Sequence, residues 1–90
     1  MSYRVFCVPE AEKELAAIWL DAGDRNSVTT AAHVIDTALR LDPEEVGESR
    51  DEVCRVFLEA PLGVIFFVSE QARIVSVLNV WRFDTRRRSP

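Results

Sequence analysis

Ninety residues, 48% of them apolar, suffice for one small hydrophobic core and are too few for two. Fifteen acidic residues against eleven basic ones give a net charge of −4, which excludes a uniformly basic nucleic-acid binder. Ten of the eleven bases are arginine, so positive charge is presented almost entirely as planar, two-pronged donors.

Tyr3 to Val8 is rich in β-formers and predicts a first strand, closed by Pro9, whose missing N–H suits the first position of a helix. In that helix Ala11, Leu15, Ile18, Trp19 and Ala22 recur at helical spacing and predict its buried stripe, with Glu10, Glu12 and Glu14 loading the N-terminal half. Leu20 points away from the stripe. Gly23 is expected in a left-handed C-terminal position, and Asn26 or Ser27 is expected to cap a second helix. The second stripe is Val28, Ala31, Ala32, Ile35, Ala38 and Leu39, with His33 on the watery side and Asp42-Pro43 as the stop.

Asp42 to Asp51 reads as an irregular acidic connector that turns at Gly47. Glu52 to Leu58 then alternates, which predicts Cys54, Val56 and Leu58 toward the core and Arg55 with Phe57 away from it. Val64 to Val68 predicts a central strand, and Ile74 to Phe83 a final one, giving an antiparallel meander. Arg86-Arg87-Arg88-Ser89-Pro90 is expected as a flexible basic tail after a domain spanning 1–85. The fold class expected is α+β: a single domain in the order β-α-α-β-β-β, with a helical hairpin packed on a mostly antiparallel sheet.

Arg4 interrupts the opening apolar stretch, and the longest uncharged apolar run, Ala60 to Ser69, is about ten residues, half a membrane span. A cytoplasmic protein with no membrane partner is expected. Cys7 and Cys54 fit that setting as reduced small hydrophobes on strands; no metal site and no cofactor is expected from them.

The chain resembles the RelE/ParE superfamily of toxins from bacterial type II toxin–antitoxin pairs over nearly all its length. Tyr3-Arg4-Val5 and Pro9-Glu10-Ala11-Glu12-Lys13-Glu14-Leu15 look like the family's first strand and helix. Ile35-Asp36, Leu39, Asp42-Pro43 and Gly47-Glu48-Ser49-Arg50 look like its second helix and joint. Arg55-Val56, Pro61-Leu62 with Val64 and Phe66, and Val77 to Arg82 look like its three-strand ending.

The resemblance implies a cognate antitoxin as partner and one of two activities. The one expected here, because the arginines stand where it needs phosphate ligands, is inhibition of translation by ribosome-associated cleavage of messenger RNA, with ribosome and mRNA as further partners; the alternative is non-enzymatic poisoning of DNA gyrase. A third expectation is a degenerate toxin without activity. Metal-free RNA cleavage needs positive charge around the crowded phosphate and groups that take and give a proton. On the cleavage reading Arg55 and Arg82 match the family's basic positions, Glu48 is the candidate proton carrier with Glu52 as the alternative, and Arg50, Trp81, Arg86 and Arg87 hold RNA by charge and stacking. The same arginines also fit ordinary pairing with acids, and Trp81 a partial core role. Nuclease branches usually carry a histidine or tyrosine near the end of the last strand, where this chain has Trp81 and Phe83.

Overall fold

The computed structural model describes residues 2–49 and 54–83. Strand β1 (Arg4–Cys7) ends before Pro9, which takes the first position of α1 (Pro9–Asp21) as its fixed φ and missing N–H favour. α1 is finished without a left-handed residue: Ala22 is extended, and Gly23 has no positive φ, contrary to expectation. Arg25 does the work instead. Its Nε donates to the Trp19 carbonyl and its Nη2 to the Leu20 carbonyl, each at 3.0 Å, satisfying acceptors that a left-handed cap would otherwise take.

α2 (Arg25–Leu41) begins earlier than Asn26 or Ser27, with Asp24 as its N-cap residue. The Asp24 carboxylate makes no capping bond; it is turned toward Arg82. The buried stripe of α2 is Val28, Ala31, Ile35 and Leu39, as the periodicity predicts, and His33 is exposed. On α1 only Ala11 is fully buried, and Leu15, Ile18 and Ala22 are half-buried. Trp19 departs from the expected stripe. It lies at the hairpin tip, 41% exposed, with its indole N–H on Thr29 and the Arg25 guanidinium 4.7 Å from its ring centre.

After the buried Pro43, Gly47 turns with φ of 72°, and a Cβ there would strike the Val56 carbonyl. The turn lets the connector add a short strand that the sequence reading does not contain, β2 (Glu48–Ser49). Then come β3 (Cys54–Glu59), β4 (Leu62–Ser69) and β5 (Ile74–Arg82). The five strands form one sheet in the order β1-β5-β4-β3-β2, antiparallel except for β1, which runs parallel to β5.

Helices cover one face of this sheet. Leu62, Val64 and Phe66 of β4 and Val75, Val77 and Val80 of β5 are buried beneath them. Phe57 opposes Val64 and packs against this core, whereas Leu58 is 54% exposed. Opposed residues share a face, so Arg55, opposite Phe66, also points to the helix side. The expected facing of this strand is therefore reversed. Apolar residues stand on both of its sides, and the ring of Phe57, larger than Cys54 or Val56, takes the covered one.

β1 pairs with β5 only as far as Cys7 and Val77, and the chain then turns away with the Val8 amide on the Val77 carbonyl. The rest of β5 would present a bare edge. α1 lies along it, and the Glu14 carboxylate accepts the Val80 amide at 2.8 Å and the Asn79 side-chain amide at 3.2 Å. Among the described residues no helix is long and apolar enough to cross a membrane.

Candidate functional site

Arg55 and Arg82 are set by different parts of the fold. Arg55 reaches under the connector, donating from Nε to the Val46 carbonyl at 3.3 Å and from Nη2 to the Gly47 carbonyl at 3.2 Å. It thereby clamps the turn that produces β2. Arg82 ends β5 and meets Asp24 of the helical hairpin, Nη2 to Oδ2 at 3.0 Å, with both side chains about two-fifths exposed. Along β4 the two arginines oppose Phe66 and Leu62. Four residues of strand and two strand spacings separate them by roughly 16 Å. Each guanidinium is turned to its own partners and not to a shared point.

Glu48 is exposed and opposes Val56, so it lies on the face of the sheet away from Arg55. Trp81 also stands on that open face, directly across from Gly63. Arg50, Glu52, Arg86, Arg87 and the rest of the basic tail lie outside the described residues. The structure thus separates Arg55, Arg82 and Glu48 rather than gathering them.

It gathers a group that the sequence reading lacks. The buried Tyr3 donates its hydroxyl to Glu70 Oε2 at 3.1 Å, and the Glu70 and Glu44 carboxyls are hydrogen-bonded to each other. That bond raises the pKa of Glu44 from its ordinary value, while the bonds from Glu44 and Tyr3 lower that of Glu70. Burial, then the Glu70 bond, pushes the Tyr3 phenol up. Arg73 sits 5.2 Å from the centre of the Tyr3 ring, and Arg55 is near enough to pull Glu44 down somewhat. Sequence offers no sign of this group, since Tyr3 and Glu70 are 67 residues apart.

Cys7 is half-buried on the core side, where burial first, then Glu12 and Asp36, raises its thiol; it is a poor nucleophile. Cys54 is likewise half-buried. No cluster of three or more potential metal ligands occurs among the described residues.

The open face has a simple composition. On β3 it carries Cys54, Val56 and Leu58; on β4 Gly63, Ile65, Phe67 and Ser69; on β5 Ile74, Ser76, Asn79 and Trp81. Phe6 of β1 extends it, half exposed. None of these positions is charged; among the described residues of this face, charge enters at the borders, with Arg4 on β1 and Glu48 on β2. An uncharged apolar sheet face on a chain this small is suited to a protein cover and poorly suited to phosphates.

Two helices packed on one face of a five-stranded sheet in this order have close structural parallels. A chain of the toxin–antitoxin complex RelBE2 from Mycobacterium tuberculosis superposes with a TM-score of 0.74 at 16% identity, over 91% of this chain and 99% of that one. A chain of the chromosomal ParDE system from P. aeruginosa gives 0.66 at 16% identity, over 91% and 97%. The isolated E. coli RelE toxin gives 0.57 at 17% identity, over 97% and 87%. This is the RelE/ParE toxin fold. No family model and no curated protein sequence matches the chain, so the likeness to RelE and ParE resides in the backbone.

Proposed function

We propose that this chain is the toxin of a type II toxin–antitoxin pair, held inactive by a cognate antitoxin segment laid on the open sheet face. The observation that carries the reading is that face: uncharged from β3 to β5, rimmed by Arg4 and Glu48, on a fold shared with RelE and ParE chains. Leu58, Phe67 and Trp81 are 54%, 38% and 36% exposed, so covering each by a partner would contribute a fraction of the roughly 1.5–3 kcal/mol of a fully buried side chain.

For the toxic act, the turning of Arg55 and Arg82 to different partners within the fold supports a toxin that grips a protein target, in the manner of a gyrase poison, over one that cleaves RNA. Each arginine is already committed within the fold, one to carbonyls and one to a carboxylate. A second reading, cleavage of messenger RNA at the ribosome, is supported by the Tyr3–Glu70–Glu44 group beside Arg55, which brings a hydroxyl, two carboxyls and a guanidinium to one end of the sheet.

Controlled expression separates the two. Inhibited supercoiling with intact transcripts is expected on the first reading, and cut transcripts with normal supercoiling on the second. Harmless expression of folded protein would count against both and leave an inactive relative.

A further inference from the structure

Trp81 is placed in an unusual way for a large aromatic on an open sheet. Its cross-strand neighbour is Gly63, and a Cβ built there would come within 2.5–2.7 Å of the indole ring. The ring therefore lies down over the glycine, which is itself buried, and the indole remains 36% exposed. Gly63 is what permits this, since any other residue would prop the ring up. The result is a flat aromatic platform, one face on backbone and the other toward solvent.

The second tryptophan, Trp19 at the tip of the helical hairpin, already carries Arg25, and Tyr3 carries Arg73. No described cation lies over Trp81. The face of an indole is electron-rich and favours a cation above it, a guanidinium most often. A nucleobase would stack equally well, but it brings phosphates onto a face whose described positions on β3, β4 and β5 carry no positive side chain, in a protein of net charge −4.

We propose that the exposed face of Trp81 seats an arginine of the protein segment that covers the open sheet face. This rests on the proposed docking of an antitoxin segment and specifies its chemistry: an apolar stripe interrupted by one arginine at the end of the sheet where β5 meets the β3–β4 joint. The surrounding Leu58 and Ile65 supply the apolar ring that excludes water around such an anchor.

The test uses the full chain carrying Trp19→Phe, which leaves Trp81 as the reporter of the two tryptophans. Two capped amphipathic helical peptides with the same leucine stripe are titrated, one with a single arginine in the stripe and one with glutamine in its place, followed by Trp81 fluorescence and by amide shifts. The arginine peptide is expected to bind about five-fold tighter, and Trp81→Leu to abolish that preference while both peptides still bind. Equal binding of the two peptides, or a preference that survives Trp81→Leu, overturns the arginine seat and leaves the docking face standing. No binding of either peptide overturns both. An oligouridylate that shifts the Trp81 signal where the arginine peptide does not would make the ring a base platform instead.

Discussion

Glu14 and Val80 are 66 positions apart, yet the carboxylate of one accepts the backbone amide of the other at 2.8 Å. The bond closes the part of the β5 edge that β1 is too short to cover, and it fixes where α1 lies relative to the sheet. A backbone amide left unpaired there costs about as much as the charged hydrogen bond contributes, roughly 1.5–3 kcal/mol when buried and less at this partly exposed edge. Glu14→Ala is expected to lower unfolding free energy by about 1–2 kcal/mol, or about 5–10 °C in midpoint for a domain of this size. Glu14→Gln keeps an acceptor oxygen and should lose about half as much. Equal midpoints for wild type and Glu14→Ala in thermal unfolding would show that water serves the edge equally well.

The two turn glycines differ in kind. Gly47 is left-handed, and its missing Cβ is the space taken by the Val56 carbonyl, whereas Gly23 has ordinary backbone angles and nothing within 4 Å of a built Cβ. Gly47→Ala is expected to cost more than about 2 kcal/mol, strain and overlap adding together. Gly23→Ala should stabilise by about 0.5 kcal/mol through the unfolded chain alone. Urea unfolding of the two variants side by side checks both signs.

The order strand, two helices, three strands was legible because each element carries its own period: the α2 stripe Val28, Ala31, Ile35 and Leu39 is spaced at 3.6, and Pro9 and Pro43 mark real boundaries. Contacts that join distant segments were not. Arg55 was expected outward because an arginine in an alternating strand usually is, but its charge is met by two carbonyls of a turn that only the fold brings beneath it. Gly63 and Trp81 likewise give no signal until cross-strand pairing sets them opposite. Of the expected site, Arg55, Arg82, Glu48 and Trp81 fall among the described residues; their separation into a core-side Arg55, a hairpin-bound Arg82 and an open-face Glu48 and Trp81 follows from register and from the Asp24 contact, which sequence does not display.

The Glu44–Glu70 bond needs one proton between two carboxyls, so it depends on pH. Glu44 has a folded pKa above its ordinary value of 4.5, so its contribution is full below that value and is lost as pH rises through the folded pKa. Glu70 runs the other way: lowered, it contributes above 4.5 and loses its contribution as pH falls through its folded pKa. Glutamine at position 44 donates to Glu70 at any pH. Glu44→Gln is therefore expected to match the wild type in acid and to exceed it as pH rises past 4.5 toward neutrality, seen in thermal midpoints across that range. A constant difference at all pH values would mean the two carboxyls do not share a proton.

Arg82 is where stability and function can be told apart. Its ion pair with Asp24 is about two-fifths exposed on both sides, and such pairs are worth about 0–1 kcal/mol. Arg82→Ala and Asp24→Asn should therefore shift unfolding free energy by no more than about 1 kcal/mol each, leaving the protein folded. If Arg82 serves a target directly, Arg82→Ala abolishes growth inhibition while Asp24→Asn, which removes the charge that Nη2 meets on Asp24, preserves or strengthens it. If Arg82 only ties β5 to the helical hairpin, the two variants act alike, since both cut the same tie. Growth curves under induction, with antitoxin absent and protein levels matched, decide between these outcomes.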